Sequence, residues 1–311
     1  MTAIPIIGAT LSHPHLHHLG IPLFQALQEY NALGLSWIRL GSYWSEIEKK
    51  EGTYDFRVLT ELLGICMNLN LNVVMTVGMK APRWPEYYLP SHLEKKLDLQ
   101  KYAVLGADTT GITRPLFKYI RRTVSALKTF PCIKYWQVEN EPLDPSGPMQ
   151  MSISRHLLEQ EINLVRILDM TRPVAVNLWG NELSNRGYFD FAARLSDAVG
   201  IDIYPRVPIG KMWKWDLYIG PRDGDIAIMR MISSVREKGR MAWISELQAE
   251  PWGKPESCTP AHIIGNTRRI MNWGLDAVFF WGFEYWLLQK LKGNASYWSA
   301  AGQAIRILRG Q

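Results

Sequence analysis

Ile133-Lys134-Tyr135-Trp136-Gln137-Val138-Glu139-Asn140-Glu141-Pro142 reads as a short β-strand that runs into a turn. Its first six residues suit a strand buried on both faces, and Pro142 lacks the N–H that a further ladder position would need. Behind it, Ser154–Met170 carries apolar residues at three- and four-residue steps, which marks a helix with one buried face. Val174–Leu178 then opens a new apolar run. Strand, helix, strand in this order is a βαβ unit with parallel strands.

The same alternation runs along the whole chain. The other predicted strands are Ile4–Gly8, Trp37–Leu40, Val73–Val77, Val199–Tyr204, Met241–Ser245 and Ala277–Trp281. The other predicted helices lie near Pro22–Leu33, Arg57–Asn68, Arg114–Phe130, Arg186–Leu195, Arg222–Lys238, Pro260–Trp273 and Ala300–Leu308. Eight βα units without a composition break predict an α/β fold, a single (β/α)8 TIM barrel spanning residues 1–311 as one catalytic domain. A doubly wound sheet is the competing fold. It would place a glycine-rich phosphate loop after the first strand, and no GxGxxG follows Ile4–Gly8.

Bulk composition narrows the function. The chain has 311 residues, 47% hydrophobic and 21% charged, enough for one large core. Its net charge of +6 is spread over scattered pairs such as Lys49-Lys50 and Arg268-Arg269, so a nucleic-acid partner is not expected. The three cysteines, Cys66, Cys132 and Cys258, lie far apart and form no CxxC, which argues against a disulfide framework or a zinc site. No apolar run reaches membrane-spanning length, so no membrane association is expected. Met1-Thr2-Ala3-Ile4-Pro5 does not read as a signal peptide. The expected location is cytoplasmic, or secreted if a leader has been removed.

Barrel active sites lie at the C-terminal ends of the strands. Two strands end in carboxylates there: the fourth at Glu139-Asn140-Glu141, and the seventh, Met241-Ala242-Trp243-Ile244-Ser245-Glu246. Strands four and seven of such a barrel face each other across its mouth. Facing carboxyls suit glycoside cleavage, in which one acid protonates the leaving oxygen and one carboxylate attacks the anomeric carbon. A lone glutamate at a strand end would instead read as a salt-bridged rim residue.

Here the chain resembles glycoside hydrolase clan A. Trp136-Gln137-Val138-Glu139-Asn140-Glu141-Pro142 is similar to the clan's Asn-Glu-Pro element and to the Gln-Val-Glu-Asn-Glu stretch of family 35 β-galactosidases. Trp243-Ile244-Ser245-Glu246 resembles its strand-seven nucleophile. Arg39-Leu40-Gly41-Ser42-Tyr43-Trp44-Ser45-Glu46-Ile47-Glu48, with Glu51-Gly52-Thr53-Tyr54-Asp55-Phe56, is similar to the strand-two region of families 5, 35 and 42. The resemblance implies a retaining glycosidase with Glu141 as acid/base and Glu246 as nucleophile, their carboxyls about 5–5.5 Å apart.

It also implies supporting roles. Asn140 would hydrogen-bond the sugar 2-hydroxyl; Arg39 would hold Glu246 ionised; Tyr204 would hydrogen-bond Glu246. Trp281 would lie under the sugar ring, often just before an unusual cis peptide. Asp202, two residues before Tyr204, reads as a structural partner one layer deeper. Glu284 could bind hydroxyls or be solvated.

The chain has 13 tryptophans. Trp44, Trp84, Trp179, Trp213, Trp215 and Trp252 fall on predicted loops, where flat rings suit the CH faces of sugars, although about half should be packing residues. The long segment from Gly78 to about Thr110, which includes Trp84, reads as a wall of the substrate cleft. His13, His15, His17 and His18 crowd one loop, but Pro14 intervenes and no i, i+4 pair is clear. The expectation is therefore no metal and no cofactor, with one histidine touching substrate as the better use. The expected partner is a carbohydrate, a β-glycoside or oligosaccharide. A transglycosylase using the same residues and a carbohydrate-binding pseudoenzyme are the alternatives.

Within strand four, strict alternation would turn both Glu139 and Glu141 inward, roughly 7 Å apart. Because pairing should stop near Pro142, Glu141 is expected to reach the cleft. Glu139 is expected to sit lower, held by a cation or by hydrogen-bond donors.

Overall fold

The computed structural model describes residues 5–106, 111–181, 186–212, 215–221 and 224–311. Eight strands close into a parallel barrel: Ile6–Leu11, Trp37–Gly41, Asn72–Val77, Ile133–Val138, Val174–Trp179, Ala198–Ile203, Met241–Gln248 and Ala277–Trp281. Neighbours in the barrel are neighbours in the chain, and the first strand lies beside the last. The expected TIM barrel is the observed fold. Its strand interiors are apolar because helices cover the outer face and side chains fill the inside.

The chain falls into two compact units. Residues 1–38, 179–193 and 199–311 form one. There Ile6–Ala9 pairs in register with Ala277–Phe280, and Trp243 and Ile244 pair with Ala277 and Val278. Gly8 permits a close approach: a Cβ would lie 2.5 Å from the Trp37 carbonyl oxygen. The buried Tyr30 hydroxyl, carried by helix Leu23–Ala32, donates to the Ala9 carbonyl at 3.0 Å and accepts the Ala9 N–H at 2.7 Å. Thus a helical side chain fixes the first strand.

Residues 39–178 and 194–198 form the other unit. Val74–Val77 pairs with Tyr135–Val138. Helix Arg155–Leu168 begins at Ser154, whose hydroxyl accepts the Leu157 N–H at 3.1 Å. This satisfies one of the amides that a helix start leaves unbonded. The helix buries Leu157, Leu158, Ile162, Leu164 and Val165. Each such side chain contributes about 1.5–3 kcal/mol of apolar burial. Glu161 lies on the same buried face.

Several elements differ from the sequence reading. Short helices occupy His13–His18, Trp44–Ile47 and Ser91–Glu94, and a longer one covers Phe283–Leu291. Val207–Met212 and Trp215–Ile219 form an antiparallel pair. Pro208 and Gly210 disguise it, since both residues usually break strands. Val104–Leu105 pairs with Ser152–Ile153. The seventh strand runs to Gln248, three residues beyond its predicted end. Ile4, Trp213, Arg222 and the 107–110 part of the long loop lie outside the described residues. Cys66, Cys132 and Cys258 are buried thiols. Burial pushes Cys66 and Cys258 up to about 12, as suits inert core groups. Among the described residues no helix is long and apolar enough to cross a membrane.

Candidate active site

The end of strand four is backbone-strained. Glu139 has φ +62° and Glu141 φ +44°, with Asn140 between them. Left-handed backbone at a residue with a β-carbon costs about 1–3 kcal/mol, and it clusters at functional sites. These two turns break the strict alternation expected for the glutamates. The Glu139 N–H still donates to the Val77 carbonyl at 2.9 Å, so pairing ends one residue past Val138. Glu139 then points away from the strand's inner row. One of its carboxyl oxygens accepts the Met79 N–H at 2.8 Å and the other the Lys80 N–H at 2.6 Å. Gly78 makes room: at φ +138°, its Cβ would lie 2.2 Å from the Glu139 carboxyl carbon. Glu139 is thus held by hydrogen-bond donors, as expected, and is fully buried. Glu141 keeps 8% of its surface exposed.

A polar layer lies beneath Asn140. The fully buried Arg39 donates from Nε to Gln137 Oε1 at 2.7 Å and from Nη2 to Asn140 Oδ1 at 2.5 Å. Asn177 Nδ2 donates to the same Asn140 oxygen at 3.0 Å. Asn177 Oδ1 in turn accepts Gln137 Nε2 at 2.8 Å and the Glu141 N–H at 3.1 Å. With its oxygen taken by two donors, Asn140 has its N–H groups left to address a ligand. Gln137 and Asn177 were missed in the sequence. Their signal was a polar residue inside an apolar strand, as in Val174-Ala175-Val176-Asn177-Leu178.

The other carboxylate sits on a bulge. Ile244 pairs with Val278, but Leu247 pairs with Phe280, so strand seven carries one extra residue between them. Bulges re-aim side chains and are common beside active sites. Glu246, 3% exposed, lies in this bulge. The Tyr204 hydroxyl donates to Glu246 Oε2. One layer below, the Ser245 hydroxyl donates to the fully buried Asp202, whose role is structural as expected.

Tyr204 is held from several sides. Asn181 clips its backbone, accepting the Tyr204 N–H at 3.1 Å and donating to its carbonyl at 2.7 Å. Gln248 does the same for Arg206, at 2.9 and 3.1 Å. Trp179 stacks on the Tyr204 ring at 5.2 Å, and Trp252 meets it edge-on at 4.9 Å.

The remaining expectations divide. Trp252 is 45% exposed and Trp84 68%, both open to a ligand. Trp44 is fully buried, stacks on Tyr119 at 4.9 Å and donates to Glu48 at 2.7 Å, so it is a packing residue. Trp281 ends strand eight half-buried, and its bond to Gly282 is trans; the cis peptide among the described residues is Trp84–Pro85. Glu284 is not solvated. It is fully buried in the first turn of helix Phe283–Leu291 and accepts the Ser12 N–H at 2.6 Å. The His13–His18 helix stacks His15 on His18, and burial pushes the His13 imidazole down to about 4. Among the described residues no group of three or more metal-ligating side chains converges.

The family model described as Beta-galactosidase, glycoside hydrolase family 42, matches residues 24–151, which hold strands two to four and the Asn-Glu-Pro element. The chain resembles clan A of the glycoside hydrolases. The fold likeness extends further. A family 5 enzyme from Streptomyces cattleya, solved with GlcNAc, superposes with TM-score 0.70 at 15% identity, over 99% of this chain and 81% of that one. Xylanase 10B from Thermotoga maritima gives 0.62 at 14% identity, over 99% and 97%. A β-galactosidase from Halorubrum lacusprofundi gives 0.61 at 15% identity; the chain spans 52% of its length. No curated protein matches the chain.

Proposed function

We propose that the chain is a retaining glycoside hydrolase that cleaves a β-linked glycoside, with Glu246 as nucleophile and Glu141 as acid/base. The observation that carries the reading is Glu246 in its bulge, accepting the Tyr204 hydroxyl. A hydroxyl donor holds the carboxylate in one orientation, as an attacking oxygen requires. Glu246 would attack the anomeric carbon while protonated Glu141 gives its proton to the departing oxygen. Water would then attack the glycosyl ester, give its proton to Glu141 and release Glu246. Asn140 would donate from its side-chain nitrogen to the sugar 2-hydroxyl, and Arg39 would sustain the Glu246 charge. Trp84 and Trp281 would offer ring faces to the sugar, and Glu284 would shape the site through Ser12.

A β-linked hexose is the proposed substrate class. Neighbours support it: one family 5 relative from Streptomyces cattleya was solved with Manβ1-4GlcNAc, and others are described as β-galactosidases. The test is Glu246→Gly with added azide and an activated aryl β-glycoside. The variant should lose nearly all turnover and yield an α-glycosyl azide. A β azide would place the nucleophile elsewhere. Wild-type protein that binds sugars without turnover would mark a binding protein; product dominated by transfer to an added sugar would mark a transglycosylase.

A further inference from the structure

Beneath the strand-four turn lies a second pair of carboxyls that the proposed chemistry does not use. Glu161 projects from helix Arg155–Leu168 among leucine, isoleucine and valine, with no exposed surface. Among the described residues no N–H or hydroxyl donates to either of its oxygens. Its polar neighbour is the Glu139 carboxyl. Glu139 is differently placed, since each of its oxygens already accepts a backbone N–H, from Met79 and from Lys80.

Two buried carboxylates in contact cannot both be ionised at moderate cost. One proton must be shared between them, and the donors decide where it sits. Glu139 accepts two N–H groups and is therefore the first of the two to carry charge. Glu161, with no donor, keeps the proton and can satisfy itself only by donating to Glu139.

The contacts continue toward Glu141. Lys80, fully buried, receives Glu139 on its N–H and donates from Nζ to the Glu141 carbonyl at 2.5 Å and the Asp144 carbonyl at 3.3 Å. Its charge also lies 3.7 Å from Glu86 and over the Tyr87 ring. We propose that Glu161 is a positioning residue: as a neutral acid it donates to Glu139, which clamps the Met79–Lys80 amides, so that Lys80 fixes the backbone of Glu141. The catalytic half of this inference rests on Glu141 being the acid/base; the protonation half does not.

Burial, and then the adjoining Glu139, raise the Glu161 carboxyl well above its ordinary range. The groups facing the pair are Lys80, Glu86 and Tyr87 from the loop after strand three, and Tyr119 from helix Thr113–Leu127. Lys80 supplies the positive charge; Glu86 adds negative charge and so favours the retained proton. Burial also raises the Glu139 carboxyl, to about 7, so the native state binds more protons than the unfolded chain between the ordinary glutamate value and these raised ones. Stability falls as pH rises through that window.

Glu161→Gln keeps the shape and an N–H donor but cannot ionise. Melting temperatures of wild type and Glu161→Gln, measured from pH 5 to about 9, should diverge: wild type declines more steeply, and the gap widens with pH. Parallel curves would overturn the proposal. Where Glu161→Leu folds, it should lower kcat/KM about tenfold or more for alkyl or sugar leaving groups and much less for dinitrophenyl ones, with Glu161→Gln close to wild type. Equal losses for both leaving groups would overturn the link to Glu141. If the wild type hydrolyses no glycoside, the function above fails, while the melting curves still decide the proton.

Discussion

Tyr204→Phe isolates one hydrogen bond. The phenyl ring keeps the stacking on Trp179 and the edge contact with Trp252, and the Asn181 clip acts only on backbone. What disappears is the hydroxyl that donates to Glu246, between groups that are each 3% exposed. A hydrogen bond to a charged group contributes about 1.5–3 kcal/mol. At about 1.4 kcal/mol per factor of ten, its loss should lower kcat by about 10- to 100-fold, because the same donor stabilises the carboxylate as it departs in the second step. The assay is kcat with an aryl β-glycoside, beside circular dichroism to confirm the fold. A kcat within about threefold of wild type would refute Glu246 as the nucleophile held by Tyr204.

Glu141→Ala should cripple hydrolysis of alkyl or sugar leaving groups far more than dinitrophenyl ones, since a good leaving group needs no proton; parallel losses in a leaving-group series would reassign the acid. Asp169→Asn should destabilise the barrel at neutral pH by about 1–3 kcal/mol. Burial raises the Asp169 carboxyl, but donors from Thr171, Trp136 and Arg172 outweigh it and hold the carboxyl well below its ordinary range. Its contribution is therefore present above the unfolded-state value near 3.8 and lost as pH falls below it. Denaturant melts of variant and wild type should thus converge in acid, and a gap that grows there would refute the assignment.

Much of the fold was legible because it rests on local periodicity. Apolar runs alternate with amphipathic helices, and the structure has all eight strands near their predicted positions. Strand seven was cut short at Ser245 because a bulge is a property of pairing with strand eight, which the residues of strand seven alone do not encode. Helix Phe283–Leu291 was missed because its residues are apolar on most sides, which blurs the helical period. Of the proposed site residues, Glu141 and Glu246 stood out as carboxylates at strand ends, and Asn140 and Tyr204 through the resemblance to the clan. Their supports did not, because the partners are distant in sequence: Asn177 meets Asn140 across 37 positions, and Asn181 meets Tyr204 across 23. Glu161 was visible as a glutamate on an apolar helical stripe. That it faces Glu139 required the packing of the helix on the strand-four turn.

Double displacement leaves a stereochemical record that does not depend on any substitution. Proton NMR of the wild type acting on an aryl β-glycoside, recorded before mutarotation, reads the anomer of the first sugar released. Retention predicts the β anomer first, with α growing later. Initial release of the α anomer would mean a single displacement by water and would contradict Glu246 as nucleophile.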